Sequence, residues 1–204
     1  MKNVLLLITM TIIMASCSNH NEEQRSGAAA TNEALDCIMT RTSVRQYLPG
    51  KEISADTIEI LLKAAMAAPT AVNKQPWEFI VVTDRAIMDS LVSVCPYARM
   101  LEHAPLAIVP CGDISKALEG DAQLMWLEDL SAATENLLLA AHAVGLGAVW
   151  TGVYPVPERV EGVKKVLGLP ANIIPVAVVP VGYPAGEHQP KDKWDAGKVH
   201  YNAW

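Results

Sequence analysis

The amino-acid sequence predicts an α+β domain in which helices pack against one mixed β-sheet. Helix-like and strand-like stretches alternate along the chain, and the apolar runs at 78–83 and 106–111 have the composition of strands. The longest helical stretch, from Asp121 to Val144, is apolar on nearly every side. It contains the acidic residues Glu128, Asp129 and Glu135, and such charges argue against a membrane span. We therefore predict a long buried helix in the core or at a dimer interface.

The other predicted elements follow from their end signals. Ser54 has the side chain of a helix N-cap, and Pro69 would stop the helix that begins there. Gly168 stands directly after another helical stretch, where helix C-termini favour glycine. The sequence therefore predicts helices at 32–40, 54–68 and 157–167 and strands at 148–151 and 173–181.

The N-terminus has the pattern of an export signal. Lys2 supplies a positive charge, an apolar run extends from Val4 to Met14, and the small pair Ala15–Ser16 precedes Cys17. A basic start, a short apolar run and small residues are typical of a secretory signal, and a cysteine in this place is typical of lipoprotein signals. We therefore predict a signal peptide at 1–16, a lipidated Cys17 that begins a flexible tether at 17–30, and one domain at 31–204. A plain secretory signal, or a tail with no such role, is the alternative.

This signal predicts an exported lipoprotein, anchored to a membrane of a bacterial envelope, and a cytoplasmic protein if the signal is not used. The chain has 16 Lys+Arg and 22 Asp+Glu, and loss of Lys2 with the signal leaves 15 − 22, a net charge of −7. Such a protein has no general attraction for nucleic acid. The three cysteines after Cys17 lack the spacing of a metal site, so no metal is predicted and buried, unreactive thiols are expected.

A basic segment at 41–45 predicts an anion site. Arg41 and Arg45 lie four residues apart, with the hydroxyls of Thr42 and Ser43 between them. Arginine offers a planar fork of donors that stays charged, and a hydroxyl adds a neutral donor, which together suit a phosphate. A solvated basic turn is the alternative interpretation of this segment taken alone.

The segment 69–77 (PTAVNKQPW) joins a predicted helix to a predicted strand. Asn73 and Gln75 can both donate and accept hydrogen bonds, as a heterocycle with carbonyls and ring nitrogens requires. A rigid loop whose polar groups pair with their own backbone is an equally good interpretation.

Two further segments are less specific. Gly145-Leu146-Gly147 permits close backbone approach. It follows a helix rather than a strand and lacks a third glycine, so a dinucleotide-binding motif is excluded. Near the C-terminus, Lys191 and Lys193 could add positive charge to a phosphate site, and a solvated tail is the alternative.

Taken together, these segments resemble the nitroreductase-like family of flavin enzymes. The resemblance spans residues 32–204, and P-[ST]-x-x-N-x-Q-P-W at 69–77 is its most specific motif. R-x-S-x-R at 41–45, Gly-Leu-Gly at 145–147 and Pro-Lys-x-Lys at 190–193 stand in the family's order.

The resemblance implies an obligate homodimer of nitroreductase-like sandwiches, with FMN bound at the subunit interface. It places the arginines and lysines at the phosphate and ribityl chain, the 69–75 loop against the other subunit's flavin, and the Gly152 backbone N–H at flavin N5. The cofactor-binding residues implied in this way are Arg41, Thr42, Ser43, Arg45, Pro69, Thr70, Ala71, Asn73, Gln75, Thr151, Gly152, Lys191 and Lys193.

The resemblance also implies an FMN-dependent oxidoreductase that takes a hydride from NAD(P)H and passes electrons, in ping-pong fashion, to a small electrophile such as a nitroaromatic or a quinone. No side chain is expected to act as catalytic acid or base, because the flavin carries the chemistry. An exported protein does not meet cytoplasmic NAD(P)H, so two alternatives remain. One is an exported flavin-carrying module that serves a protein partner without NAD(P)H turnover, and the other is a lipoprotein without flavin.

Overall fold

The computed structural model describes residues 32–204, which form an α+β sandwich with a sheet between two layers of helices. The predicted signal peptide, the tether and Cys17 lie outside the described residues. The helices are α1 (Glu33–Thr40), α2 (Ala55–Met66), α3 (Arg85–Val94), α4 (Met125–Ala143) and α5 (Pro157–Leu167). The strands are β1 (Trp77–Val82), β2 (Leu106–Asp113), β3 (Gly147–Ala148), β4 (Thr151–Gly152), β5 (Ile173–Pro175) and β6 (Ala177–Gly182).

The sheet is built around β2, which is buried along its whole length. The main strand order is β1-β2-β6-β3, with β5 paired to β2 and β4 paired to β6. All pairs between these strands are antiparallel, and an isolated parallel bridge joins Ser43 to Ala148. The mixed sheet predicted from the sequence is therefore confirmed.

Alternate residues of β2 face two separate halves of the core. Leu106 and Ile108 pack into a cluster with residues of α2 and α4. Ala107 and Val109 pack on the opposite face with residues of α3 and α5. This alternation is the side-chain period of a strand buried on both faces.

The long helix α4 is buried, as predicted, although it begins at Met125 rather than at Asp121. Residues 120–122 form a separate 3₁₀ turn, in which Gly120 has a left-handed φ of 61°. Among the described residues, no helix has the length and apolarity needed to cross a membrane.

The predicted strand at 148–151 is wrong in detail, since β3 and β4 are separated by Val149 and Trp150. The register across the gap is nevertheless continuous, because Ala148 faces Val181 and Thr151 faces Val178. The hydrogen-bond ladder between the strands is interrupted opposite Pro180, which has no N–H to donate.

The predicted strand at 173–181 is also interrupted. Pro175 pairs with Cys111, whereas Val179 pairs with Ile108. The segment 175–179 therefore has one more residue than the part of β2 that it faces. The extra residue is a β-bulge at Val176, whose N–H donates to the carbonyl of Pro110 at 2.9 Å.

Helix α3 was missing from the sequence-based prediction. Its start has a clear signal, because the side chain of Asp84 accepts a hydrogen bond from the N–H of Ile87 at 3.0 Å. Met88 and Leu91 then follow at helical spacing and are buried. The predicted N-cap Ser54 is confirmed, and so is Gly168, which ends α5 with a φ of 63°. Asn32, which the sequence analysis placed inside the first helix, is the N-cap of α1.

Candidate functional site

Two of the segments singled out in the sequence line one cleft of about 1080 Å³. The end of α1 and residues 41–45 form one wall, and residues 187–194 form the other. Of the predicted cofactor residues, the cleft brings together Arg41, Thr42, Ser43, Arg45, Lys191 and Lys193.

The charge of this cleft suits an organic phosphate. Four cationic side chains line it against the two carboxylates of Glu187 and Asp192, whereas the whole chain has a net charge of −6. The cleft also contains an unpaired polar atom, since the buried Nε2 of His188 has no hydrogen-bond partner among the described residues. A donor set of two guanidiniums, two ammonium groups and two hydroxyls fits the phosphate and polyol chain of FMN.

The segment 41–45 is fixed against the Gly-Leu-Gly motif. The N–H of Val44 donates to the carbonyl of Ala148 at 3.1 Å, next to the bridge between Ser43 and Ala148. A Cβ on Gly147 would lie 2.5 Å from the Cβ of Val44, so only glycine permits this approach. Two motifs that are far apart in the sequence therefore form one structural unit.

Tyr47 holds the far end of this segment. Its hydroxyl lies 2.8 Å from the carbonyl of Val44 and 3.1 Å from that of Pro180. Burial raises the pKa of Tyr47 well above its usual range, and the positive charge of Arg45 opposes that shift. The side chain therefore stays neutral and connects the segment to β6.

Arg41 is oriented by a carboxylate of α4. Its Nε lies 3.0 Å from an oxygen of Glu135, and its side chain is only 16% exposed. This pairing uses one edge of the guanidinium and leaves both terminal nitrogens for another ligand. Arg45, in contrast, is exposed, with a long contact of 3.5 Å from Nη1 to the carbonyl of Ser43.

The loop at 69–75 does not line this cleft. Its residues Val72, Asn73 and Gln75 have left-handed φ values of 51°, 56° and 48°. Such conformations cost about 1–3 kcal/mol each for residues other than glycine, and they persist where surrounding contacts impose them. Val72 is β-branched and 81% exposed, so burial of its own side chain offsets little of that cost.

Hydrogen bonds within the loop account for part of its shape. The hydroxyl of Thr70 accepts from the N–H of Gln75 at 3.1 Å, and the Gln75 amide donates to the Asn73 oxygen at 2.9 Å. From outside the loop, Asp129 on α4 accepts from the N–H of Ala71 at 2.8 Å. The amides of Asn73 and Gln75 are held at the surface of the chain.

Thr151 and Gly152 lie on β4. The hydroxyl of Thr151 is buried and donates to the carbonyl of Val178, so this side chain is occupied within the fold. Gly152 is exposed, and a Cβ at that position would meet no atom within 4 Å. The open space above Gly152 leaves room for a planar ring next to the backbone.

Three residues of this region were not predicted from the sequence as site residues. Asp129 and Glu135 entered the sequence argument only as charges that oppose a membrane span, yet they hold the loop and Arg41. His188 lines the cleft beside the predicted lysines. A carboxylate on a largely apolar helix is the signal that could have identified these two residues.

A model of the nitroreductase family matches residues 38–95 and 92–183. This chain belongs to the nitroreductase family. Membership confirms the family, the fold and the enzyme class predicted from the sequence, an FMN-dependent oxidoreductase.

Relatives in this family cover nearly the whole described domain. A protein of Methanothermobacter thermautotrophicus with the provisional name NADH dehydrogenase/NAD(P)H nitroreductase is 41% identical over 179 residues, which are 87% of this chain and 91% of the relative. A solved structure with the same provisional name, from Bacteroides thetaiotaomicron, is 48% identical with a TM-score of 0.80 over 85% of this chain and 99% of that one. The FMN-dependent nitroreductase of Clostridium difficile is 29% identical, with a TM-score of 0.75 over 83% and 99% of the two chains.

Proposed function

We propose that two copies of this chain form a flavoenzyme that binds FMN in the 41–45/187–194 cleft and passes electrons from NAD(P)H to a small electrophile, such as a nitroaromatic or a quinone. The observation that carries the proposal is the convergence of Arg41, Ser43, Arg45, Lys191 and Lys193 on one cleft. These residues come from segments far apart in the sequence, and a common ligand explains their meeting better than two solvated turns do.

The side chains of the cleft would bind and orient the cofactor. Arg41, held at its Nε by Glu135, presents two terminal nitrogens to the phosphate. The hydroxyl of Ser43 and the ammonium groups of Lys191 and Lys193 supply further donors. Bound FMN would supply the two-electron chemistry, for which the protein provides binding, orientation and electrostatics.

No side chain of the site is proposed as an acid or base. Thr151 donates to the backbone of β6, so its hydroxyl is unavailable for proton transfer. The positive charge of the cleft would stabilise negative charge that develops on the ligand. Gly152, with open space at its Cβ position, is proposed as the backbone contact beside the ring.

A homodimer is supported by the apolar surface of the single chain. Leu35, Ile38 and Met39 on α1 are each more than half exposed. Trp194 and Tyr201 in the C-terminal tail are also exposed. Exposed apolar patches of this kind mark interaction surfaces. In the dimer, the 69–75 loop would reach the cofactor of the other subunit, which accounts for its position outside its own chain's cleft.

Export and a lipid anchor at Cys17 are proposed from the N-terminal pattern alone. Mass spectrometry of the membrane fraction should show a chain that begins at Cys17 and carries acyl groups, and the Cys17→Ala variant should lack them. An unlipidated wild-type chain cut elsewhere would show that the lipoprotein interpretation is wrong.

The function is tested with purified dimer and FMN. The protein should bind FMN with a visible flavin spectrum, which anaerobic NADH or NADPH should bleach and a nitroaromatic or quinone should restore. A protein that binds FMN but is not bleached by either nucleotide would favour the flavin-carrying module with a protein partner. A protein that binds no flavin would contradict the proposal.

A further inference from the structure

Asp129 is a buried carboxylate on α4 that the proposed function does not use. Its residue is 6% exposed, and most of its buried neighbours on the helix, including Trp126 and Leu130, are apolar. Burying a carboxylate is unfavourable unless hydrogen bonds compensate for its lost hydration. The bond that compensates here comes from outside the helix, because Oδ1 accepts from the N–H of Ala71 at 2.8 Å.

The loop that receives this bond needs an external anchor. Its left-handed residues Val72, Asn73 and Gln75 cluster within four positions. The other hydrogen bonds that the structure describes for residues 70–75 stay inside the loop. Asp129 therefore supplies the hydrogen bond that ties this strained segment to the core.

We propose that Asp129 is a positioning residue for FMN, which acts by holding the 70–75 loop in its cofactor-binding conformation without touching the cofactor. The inference rests on the proposed function. Ala71 begins the short 3₁₀ turn at 71–73, so fixing its N–H fixes the orientation of the turn. The amides of Asn73 and Gln75 follow directly and are presented to the partner's cofactor.

The same helix also holds the other half of the site. Glu135 lies six residues after Asp129 and contacts Arg41, and six residues correspond to directions about 120° apart around a helix. Helix α4 thus contacts both the 41–45 segment of its own cleft and the 70–75 loop that is offered to the partner. The two carboxylates give the buried helix a role in assembling both half-sites.

The test measures the FMN dissociation constant of the dimer by flavin fluorescence quenching. Asp129→Ala should raise this constant about 10- to 100-fold, because it removes a charge-assisted hydrogen bond. Asp129→Asn should stay within about threefold of wild type, because its amide oxygen can still accept from Ala71. Thr134→Val is the matched control, since Thr134 is buried on the same helix and its hydroxyl donates to Leu130 within the helix.

A second variant removes the same bond from the other side. Ala71→Pro deletes the donor N–H, and Thr70 already has the extended backbone, φ −136° and ψ 149°, that precedes proline readily. The Asp129→Ala/Ala71→Pro double variant should bind FMN no more than about threefold more weakly than the weaker single variant, as expected for two changes that remove one interaction.

These measurements separate the inference from the proposed function. Wild-type protein that fails to bind FMN contradicts the proposed function. Wild-type protein that binds FMN, with Asp129→Ala of unchanged affinity, overturns the inference alone, and so do losses that multiply in the double variant. If Asp129→Ala does not fold, Ala71→Pro and Asp129→Asn decide the question. FMN binding that is tenfold weaker in Ala71→Pro and near wild type in Asp129→Asn supports the inference. Unchanged FMN binding by Ala71→Pro overturns it.

Discussion

The Nε of Arg41 lies 3.0 Å from a carboxylate oxygen of Glu135, an ion pair that joins the 41–45 segment to α4. Glu135 is 47% exposed at its side chain, whereas Arg41 is 16% exposed. A half-exposed ion pair contributes little to stability by itself. Its value lies in orientation, since a guanidinium fixed at one edge presents its remaining donors in a set direction.

Arg41→Ala should weaken FMN binding about 10- to 100-fold, because a charge-assisted hydrogen bond to the phosphate is lost. Riboflavin, which lacks the phosphate, should bind almost unchanged. Arg41→Lys should recover only part of the loss, since an ammonium group cannot make the forked contact. Fluorescence titration with both flavins measures this, and equal losses for FMN and riboflavin would show that Arg41 acts through folding.

Glu135→Gln separates orientation from charge at the same contact. Glutamine keeps an oxygen beside Arg41 Nε without the negative charge, so FMN affinity should change by less than about threefold. Glu135→Ala removes the oxygen as well and should weaken FMN more than glutamine does. The same titration distinguishes the two variants, and equal affinities for alanine and glutamine would indicate that Glu135 does not orient Arg41.

Gly147→Ala should lower the free energy of unfolding by about 1–3 kcal/mol, because the added methyl group overlaps Val44. Urea denaturation of the flavin-free protein measures the change. Gly152→Ala is the matched control, since its Cβ would meet no atom within 4 Å, and its effect should stay within about 0.5 kcal/mol.

The Gly147 effect should be partly relieved by a second substitution. Val44→Ala removes Cγ1 and Cγ2, two of the three Val44 atoms that a Cβ at position 147 would meet, and keeps Cβ. The double variant should therefore be more stable than the sum of the single effects predicts. Strict additivity would mean that the two residues do not share the close contact between the 41–45 segment and β3.

Stability should fall as the pH rises above about 8.5, the ordinary pKa of a cysteine thiol in an unfolded chain. Burial, assisted by the charge of Glu78, raises the pKa of Cys111 to about 12 in the folded protein. Between these values the unfolded chain loses a proton that the folded chain keeps, so up to about 1.4 kcal/mol of stability is lost per pH unit.

Cys111→Ala isolates this contribution. Urea denaturation under reducing conditions, repeated from pH 8 to pH 10, should give a shallower decline for the variant than for wild type. Cys95 and Tyr47, whose pKa values are also raised by burial, are present in both proteins and do not affect the difference. Equal slopes would show that Cys111 ionises in the folded state as readily as in the unfolded chain.

The sequence alone sufficed to propose an anion site at 41–45, because its chemistry is local: the charges and hydroxyls are adjacent along the chain. The strand ends were harder to predict. The gap opposite Pro180 and the bulge at Val176 depend on which strands pair, and pairing partners are not encoded in a single strand's pattern.

The roles of Asp129 and Glu135 also depended on tertiary structure. Both charges were visible on the long apolar helix, but their partners, Ala71 and Arg41, are distant in the sequence. The pattern therefore identified an unusual helix without indicating what its carboxylates hold. The resemblance of motifs indicated candidate site residues within each segment, whereas the contacts between segments are visible only in the structure.

The C-terminal tail should lie against a second copy of the chain. Trp194, Tyr201 and Trp204 are largely exposed on the single chain, and Trp204 is fully exposed. Replacing all three with serine should raise the dimer dissociation constant at least about tenfold, because burial of large aromatic side chains dominates interface energetics. Analytical ultracentrifugation or light scattering over a range of concentrations measures the change.

Tyr97→Ser provides the control, because Tyr97 is also exposed but lies outside the tail and α1. It should leave the dimer unchanged. The tail variant should also bind FMN more weakly at low protein concentration, since Lys191 and Lys193 lie beside Trp194 on the wall of the cleft. Raising the protein concentration should then restore FMN affinity by mass action. A wild-type monomer, or a tail variant that dimerises as tightly as wild type, would contradict the proposed interface.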